Sequence, residues 1–458
     1  MKKNVMFISS CLIPIITGTT ITISAKAKTG KPNIIIINCD DLGYGDLSCF
    51  GSPTIKTPNI DKLAYEGQKW TSFYAGAPSS SPSRACLFTG RLGIRTGMYG
   101  DYKTVMLPDS PGGIPEKEYT IAELLKSNGY KTACIGKWHI GHKEKYLPLN
   151  NGFDYFYGYP FSNDMSKKEQ AKRGNTNYPF EYLVMEQNKI IDKEVDQSYL
   201  TQQVTSTAIQ YIKESDNTPF FLYIAHPMPH FPVYASEPFI GKSYGGKYGD
   251  VIEEIDWTVG EIIKCLHETH KDKNTLIIFT SDNGPALKHK EEGGCAGPLR
   301  EGKGTHFEGG FRVPCIIWGN MVDPGTVTTM GSNLDLLPTI CEMTRTRLPE
   351  DRVYDGVSLY PTIENCHKES PREIFFYYRG SKLYAVRKGK YKLHILDKRS
   401  YKPDSYVKLE APLLYNLSDD PEEKYNIAKR HHDIVEELTD IILEHQKTTK
   451  TESSIFDL

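Results

Sequence analysis

The sequence lacks an excess of charge of either sign. Its 55 lysines and arginines nearly balance 57 aspartates and glutamates, which leaves a formal net charge of −2. Proteins that hold nucleic acid mainly through charge carry a basic stripe or tail. Because neither is present in the sequence, a nucleic-acid partner is not expected.

Clustered cysteines are also missing. The 10 cysteines are scattered, and no two have the C-x-x-C spacing of a zinc or redox motif. If Cys11 leaves with an N-terminal signal, an odd number remains. A disulfide framework and a zinc cluster are therefore disfavoured, and most of the cysteines are expected to be small buried side chains.

The sequence has no apolar stretch long enough for a transmembrane segment. Pro14 and Gly18 interrupt the N-terminal apolar stretch. Two lysines precede that stretch and an A-K-A tripeptide ending at Ala27 follows it, which is the order of a secretory signal. Residues 1–27 are therefore predicted to be the signal peptide of an exported, periplasmic protein. The alternative is a lipid anchor to the outer membrane through Cys11.

Apolar runs alternate with helical patterns along the rest of the chain, as in α/β proteins. The run N-I-I-I-I-N-C-D-D over residues 33–41 has the β-branched continuity of a strand covered on both faces. Further strands are predicted at residues 131–136, 219–227 and 274–284. The chain is therefore predicted to contain a large sheet with helices between its strands.

Two helices are predicted from their end signals. The first has Thr57 at the cap, Pro58 at the first helical position and Gly67 at its end. The second starts with Thr120 and Glu123, which have the spacing of a capping box.

Each of the four predicted strands ends in polar residues suited to chemistry. In chain order these are Asp40 and Asp41, Lys137 and His139, His226 and His230, and Asp282 and Asn283. Ligands of open α/β sheets bind outside the carboxyl ends of the strands. These side chains are therefore expected to converge on one edge of the sheet.

Four of these residues offer only oxygen ligands, and three of the four are anionic: Asp40, Asp41, Asp282 and Asn283. Such a set suits a hard cation, Ca²⁺ or alternatively Mg²⁺, better than zinc. Each pair alone could equally form helix caps and Asx turns. Together, at the ends of two buried strands, they favour a metal site.

Basic residues accompany the carboxylates. Lys137 and His139 follow one predicted strand, and Lys303 lies in a glycine-rich loop without helical period. Alone, such residues are usually solvated or structural. Beside a metal they would form an electropositive pocket, which implies an anionic substrate group.

The segment A-P-S-S-S-P-S-R-A-C-L-F-T-G-R ends at Arg91 and places Ser80 two residues before Pro-Ser-Arg. It resembles the sulfatase signature, in which Cys or Ser at this position is oxidised to formylglycine. Similar segments recur in order, among them N-C-D-D-L-G-Y-G-D-L, G-K-W-H-I-G-H and G-K-G-T-H-F-E-G-G-F-R-V-P. The chain thus resembles type I sulfatases of the arylsulfatase A and N-acetylgalactosamine-6-sulfatase branch, as a serine-type bacterial member.

The resemblance implies an alkaline phosphatase-like α/β fold with a large mixed sheet sandwiched by helices. It implies a catalytic domain over residues 28–347. Residues 348–458 would form a smaller α+β subdomain, with an antiparallel sheet and a closing helix near residues 433–445.

The resemblance also implies residue roles. The metal would be held by the oxidised Ser80 together with Asp40, Asp41, Asp282 and Asn283. Arg84 would hold the nucleophile's oxygen, and His139 would assist proton removal from its hydrated, geminal diol form. Sulfate would be contacted by Lys137, Ser162, His230 and Lys303. Either Lys303 or His230 would protonate the leaving group.

The implied partners are a sulfated carbohydrate substrate and a serine-type maturase that generates formylglycine. The expected reaction removes sulfate from a terminal galactose or N-acetylgalactosamine, at the 3-O or 6-O position. A phosphatase or phosphodiesterase of the same superfamily, using unmodified Ser80, is one alternative. An inactive glycan-binding homologue is another. The L-x-T-G-R sequence after Pro-Ser-Arg favours the sulfatase, because it is the recognition element for the oxidation.

Overall fold

Ten strands of the chain form one mixed sheet. The computed structural model describes Met1, residues 30–398 and residues 406–458. In chain order the strands of this sheet are β1 (Asn33–Cys39), β2 (Gln68–Tyr74), β3 (Lys131–Lys137), β4 (Tyr155–Tyr159), β5 (Leu183–Glu186), β6 (Lys189–Lys193), β7 (Phe220–His226), β8 (Thr275–Ser281), β9 (Arg312–Trp318) and β10 (Gly325–Ser332). Their spatial order is β10-β2-β9-β8-β1-β7-β3-β4-β5-β6. The predicted signal peptide and Cys11 fall on residues outside the described part and stay predictions.

The four strands predicted from apolar runs are neighbours at the centre of this sheet. Strands β8, β1, β7 and β3 are parallel to one another. In this register Cys39 lies opposite both His226 and Ser281. The carboxyl ends of these strands are therefore aligned, and the polar residues that follow them begin at the same edge of the sheet. Strand β9 is antiparallel to β8 and β2, and β5 is antiparallel to β4 and β6, which makes the sheet mixed.

Helices cover both faces of the sheet. The helices are α1 (Pro58–Glu66), α2 (Ser80–Thr89), α3 (Gly93–Thr96), α4 (Ile121–Ser127), α5 (Lys167–Lys172), α6 (Leu200–Glu214), α7 (Gly246–Glu268), α8 (Glu308–Phe311), α9 (Leu336–Thr344), α10 (Tyr360–Glu364) and α11 (His432–Thr448). Ile34 and Ile36 pack in one apolar cluster with α2, α4 and α9, and Ile35 and Ile37 pack in another with α1, α6 and α7. The prediction of a strand covered on both faces is confirmed.

Helix α4 begins as its sequence predicts. The Glu123 N–H donates to the Thr120 hydroxyl at 3.1 Å, and the Thr120 N–H donates to the Glu123 carboxylate at 2.8 Å. This reciprocal pair satisfies two of the N–H groups that a helix start leaves without partners.

Helix α1 begins at Pro58 as predicted, but the Thr57 hydroxyl makes no capping bond. The N–H groups of Asn59 and Ile60 instead donate to the carboxylate of Asp256 in α7, at 3.2 and 2.8 Å. A carboxylate that is distant in sequence replaces the local cap, so the hydroxyl of Thr57 is not needed for this role.

The C-terminal part contains a second, antiparallel sheet. Its strands are β11 (Ile374–Arg379), β12 (Lys382–Lys388), β13 (Tyr391–Lys398) and β14 (Tyr406–Asn416), in that spatial order. Leu438 and Ile442 of α11 pack against its apolar face. The predicted antiparallel sheet with a closing helix is therefore confirmed. The domain boundary near residue 348 stays a prediction.

Within the described ranges, no helix has the length and apolar character needed to cross a bilayer.

A buried ion network joins the second sheet to the segment after the glycine-rich loop. The Lys392 ammonium lies 3.1 Å from Glu308 of α8 and 3.0 Å from Glu423. Glu423 also lies 2.7 Å from His394 Nε2, and Glu308 accepts a hydrogen bond from Tyr377 at 2.7 Å. All three charged side chains are fully buried. Removing one charge from such a network leaves the others uncompensated.

We therefore expect Lys392→Met to lower the free energy of unfolding by roughly 3 to 5 kcal/mol, the range for breaking a buried pair. Urea denaturation monitored by circular dichroism measures this loss. Lys390→Met is the matched control, because Lys390 is exposed two residues away in the turn between β12 and β13. Equal stability of the two variants would contradict a compensating role for Lys392.

Candidate active site

Four polar residues meet at the carboxyl ends of β1 and β8. Asp40 and Asp41 follow β1, and Asp282 and Asn283 follow β8. The Asp41 N–H donates to Asp282 Oδ1 at 3.1 Å, and Asn283 Nδ2 donates to Asp41 Oδ1 at 2.8 Å. All four residues are at most 2% exposed. The predicted oxygen-rich group is thus one buried cluster.

Ser80 is the first residue of α2 and faces this cluster. Its hydroxyl donates to Asp40 Oδ1 at 3.0 Å and lies 3.4 Å from Asn283 Oδ1. The hydroxyl of Ser79 donates instead to the carbonyl of Thr104. Ser80 is therefore the serine of the S-S-S triplet placed to take part in chemistry at the carboxylates.

Arg84 lies one helical turn after Ser80 and is fully buried. Its Nε and Nη2 atoms lie 3.0 and 2.9 Å from Asp282 Oδ2, and its Nη1 donates to the carbonyl of Lys137 at 2.9 Å. Burial and the nearby Asp40 charge nevertheless raise the pKa of Asp282 to about 6, although Arg84 opposes the rise. The guanidinium therefore compensates only part of the negative charge at this edge.

Two lysines supply further positive charge. Lys137 Nζ donates to Asp40 Oδ2 and, at 2.7 Å, to the hydroxyl of Ser162. Lys303 Nζ lies 2.5 Å from Asp41 Oδ1. Burial works to raise the pKa of Asp40, but the charges of Lys137 and His230 bring it well below its usual value. Lys137 at the end of β3 and Lys303 in a loop thus reach the carboxylates from parts of the chain that are distant in sequence.

His230 points its Nε2 into the same space. That atom lies 3.4 Å from the Ser162 hydroxyl and 3.7 Å from Asp41 Oδ2. On the other side of the ring, Nδ1 lies 3.0 Å from Asn163 Oδ1. Burial lowers the pKa of His230. Asn163, which orients this ring, was not predicted, although it follows Ser162 in the P-F-S-N-D segment.

His139 and His226 are held by backbone groups rather than by the carboxylates. His139 Nε2 lies 3.0 Å from the Met106 carbonyl, and its Nδ1 is buried with no hydrogen-bond partner among the described residues. Burial and the charge of Lys137 hold the pKa of His139 well below its usual value. His226 Nδ1 accepts from the N–H of Met228 within its own turn.

Asp46 is a further buried carboxylate that the sequence reasoning missed. It accepts hydrogen bonds from the Gly43 N–H at 2.7 Å, the Cys295 N–H at 2.8 Å and the Tyr248 hydroxyl at 2.6 Å. A Cβ on Gly43 would lie 2.3 Å from the Cys295 carbonyl oxygen, so this approach requires glycine. Asp46 thus fixes the turn that follows Asp41, and the D-L-G-Y-G-D segment is its sequence signal.

The donor set fits a hard divalent cation. Ligand atoms of Asp40, Asp41 and His230 lie within 4.8 Å of one another. Asp41 Oδ2 is buried and, among the described residues, accepts no hydrogen bond. A buried carboxylate oxygen without a donor is costly unless a cation is nearby. Oxygen ligands from Asp40, Asp41, Asp282 and Asn283 would suit Ca²⁺ or Mg²⁺.

Two family models match the chain. The Sulfatase model matches residues 32–346, and the model for the C-terminal region of aryl-sulfatase matches residues 370–457. The chain belongs to the sulfatase family. It is therefore a sulfuric ester hydrolase.

Named relatives of this sulfatase match it over most of their length. N-acetylgalactosamine-6-sulfatase of Mus musculus is 37% identical, and the match covers 93% of this chain and 88% of the mouse protein. Arylsulfatase A of Homo sapiens is 36% identical, and the match covers 88% of this chain and 84% of the human protein. Among solved structures, the PsFucS1 sulfatase from Pseudoalteromonas sp. matches with a TM-score of 0.82 and 29% identity, covering 92% of this chain and 91% of that one. The predicted alkaline phosphatase-like fold is confirmed.

Proposed function

We propose that this sulfatase removes sulfate from a terminal galactose or N-acetylgalactosamine, at the 3-O or 6-O position. We further propose that it uses a formylglycine derived from Ser80 and a divalent metal. The observation that carries the proposal is the contact of the Ser80 hydroxyl with Asp40 at 3.0 Å, inside a buried cluster of carboxylates and cations. The names of the relatives, N-acetylgalactosamine-6-sulfatase among them, support the sugar.

Two groups would complete this site. Formylglycine supplies the nucleophile for sulfur, and a divalent cation, Ca²⁺ or Mg²⁺, supplies positive charge to the oxygens of sulfate. Asp40, Asp41, Asp282 and Asn283 would hold the cation together with an oxygen of residue 80. The orphaned Asp41 Oδ2 supports this assignment.

The chain's own side chains would then bind and orient sulfate. Lys137 and Ser162, which are hydrogen-bonded at 2.7 Å, would together contact one side of the anion. Lys303 and His230 lie on the Asp41 side, and either would donate a proton to the departing sugar oxygen. In a neutral His139 that donates from Nε2 to Met106, Nδ1 would be left to accept a proton.

The burial of α2 supports maturation before folding. All ten residues of this helix, Ser80 among them, are buried. Arg91, from the L-x-T-G-R sequence, bonds to Glu118 at 3.0 and 2.8 Å. An enzyme that oxidises Ser80 would therefore need the unfolded chain. The proposed serine-type maturase would act before export, in agreement with the predicted N-terminal signal.

Coexpression with a serine-type maturase is expected to make Ser80 lighter by two hydrogens, and to leave Ser79 and Ser81 unchanged. Tandem mass spectrometry of the peptide that contains all three serines measures this. Ser80→Ala is expected to abolish turnover without lowering the melting temperature, because the small side chain leaves the buried helix intact. A fully active protein with unmodified Ser80 would overturn the formylglycine proposal.

Removal of bound metal by a chelator is expected to lower the melting temperature, and added Ca²⁺ or Mg²⁺ to restore it. Saturation at 100 times Kd stabilises a protein by about 2.7 kcal/mol. Asp282→Asn is expected to lose most of this shift in differential scanning fluorimetry. Asp216→Asn, at an exposed carboxylate paired with Lys131, is the control and is expected to keep the shift. Identical metal responses of the two variants would contradict the proposed ligand set.

A panel of monosulfated sugars tests the substrate. Sulfate release is expected from galactose 3-sulfate, galactose 6-sulfate or N-acetylgalactosamine 6-sulfate. The other sugars are expected to react far more slowly, because a pocket that hydrogen-bonds the hydroxyls of one sugar discriminates strongly against sugars whose hydroxyls are placed differently. Ion chromatography measures the released sulfate. Activity confined to glucosamine or uronate sulfates would overturn the proposed sugar and leave the sulfatase activity standing.

A further inference from the structure

A cavity of about 280 Å³ adjoins the proposed catalytic residues. Ser79 and Lys303 form one end of its wall, and Tyr378, Arg379 and Lys382 from the tip of the β11–β12 hairpin form another part. Ligand sites for small molecules begin at about 300 Å³. At about 280 Å³ the cavity lies just below this range, so it has room for one small substrate group beyond the scissile sulfate.

Hydrogen bonds hold the two ends of this cavity together. Asp101 accepts from the Ser381 N–H at 2.7 Å and from the Ser381 hydroxyl at 2.8 Å. Within the same loop, the Thr104 carbonyl accepts from the Ser79 hydroxyl at 3.0 Å. The loop of residues 99–104 thus ties the hairpin tip to the start of α2, so Arg379 keeps a defined position relative to Ser80.

The cavity wall is strongly basic. Among the lining residues that the structure describes, four are basic, namely Lys288, Lys303, Arg379 and Lys382, and one is acidic, Asp101. The Asp101 carboxylate is already bonded to Ser381, and Lys303 is paired with Asp41. Positive charge from the other three basic residues faces the cavity without a carboxylate paired to it among the described residues.

Arg379 is a half-buried guanidinium in this wall that has no carboxylate partner among the described residues. Its Nε is buried and, within the described ranges, has no hydrogen-bond partner. A guanidinium presents its donors in a planar fork that matches carboxylate or sulfate oxygens. Because Nε is closed off from solvent, an anion in the cavity would be contacted by the terminal N–H groups of this half-buried side chain.

We propose that Arg379, Lys382 and Lys288 form a second anion subsite, which binds another carboxylate or sulfate ester of the same glycan. This proposal rests on the proposed function, because it assumes that the scissile sulfate lies beside Ser80. It narrows the substrate class to sulfated glycans that carry at least two anionic groups. Lys382 lies 5.3 Å from the ring of Tyr406, one of several tyrosines whose faces and hydroxyls would suit a sugar ring in the same cavity.

The test compares three substrates: N-acetylgalactosamine 6-sulfate, N-acetylgalactosamine 4,6-disulfate, and an unsaturated chondroitin disaccharide with one uronate and one 6-sulfate. The ratio of kcat/KM for each two-anion substrate to that for the monosulfated sugar is measured. Arg379→Met is expected to lower one of these ratios about tenfold to hundredfold, as for a lost charge-assisted hydrogen bond. A lower ratio for the disulfate would show that the subsite binds a second sulfate. A lower ratio for the disaccharide would show that it binds the uronate carboxylate.

Lys390→Met is the matched control, since Lys390 is an exposed lysine in the turn between β12 and β13 and lies outside the cavity wall. It is expected to keep both ratios at the wild-type value. Lys382→Met, at an exposed position, repeats the test without removing a partly buried side chain. Ratios unchanged in both Arg379→Met and Lys382→Met, or lowered equally in Lys390→Met, would overturn the subsite.

Binding separates this proposal from the proposed function. In the Ser80→Ala protein, calorimetry with the disulfate and with the disaccharide is expected to show a Kd that rises at least about tenfold when Arg379→Met is added. If the mature wild-type protein hydrolyses none of the three substrates, the result counts against the proposed sugar. The calorimetric measurement then still decides whether the subsite exists. No measurable binding of either two-anion ligand, or equal affinity with and without Arg379→Met, would overturn the subsite.

Discussion

The confinement of three carboxylates at one buried edge of the sheet is the constraint on which the site depends. Asp40, Asp41 and Asp282 are at most 2% exposed, and their like charges repel one another. An ion without a partner in such a position costs several kcal/mol, so cations must be brought to it. Arg84 is placed there by α2, and this brings Ser80, one turn earlier on the same helix, against Asp40 and Asn283. The same helix thus compensates the charge of the carboxylates and positions Ser80, the proposed nucleophile.

Much of this arrangement could be predicted from the sequence because the strands carry their own signal. A continuous β-branched run such as residues 33–39 is buried on both faces only at the centre of a covered sheet, and the polar residues after each run then meet at one edge. The unpredicted residues act through contacts across long sequence distances. Asp256 replaces the local cap of α1, and Asp46 holds the turn after Asp41 by bonding to Cys295 and Tyr248. No periodicity marks these partners, because only the fold brings them together.

The second sheet is more than an appendage to the catalytic part. Its existence is predicted from the family resemblance, but the role of Lys392 is not, since a lysine in a strand usually reaches solvent. Here the lysine is buried between Glu308 and Glu423. Glu308 lies five residues after Lys303, so the network anchors the loop that brings Lys303 to Asp41. The position of one basic residue of the site therefore depends on ions buried some distance from it.

Under the two proposals, the large sheet would hold the scissile sulfate and the second sheet would contact another group of the same glycan. The carboxyl edge of the large sheet is constrained by mutual charge compensation, and a change to any one of its ions leaves another buried charge unbalanced. The tip of the β11–β12 hairpin carries the half-buried Arg379 and the exposed Lys382, and it is held through Asp101 and Ser381 rather than through the charges of that edge. Under the proposed subsite, substitutions at the tip would alter which glycan is bound at little cost to the fold. The proposed catalytic edge and the proposed second anion subsite are therefore under different energetic constraints, and the two regions can change independently.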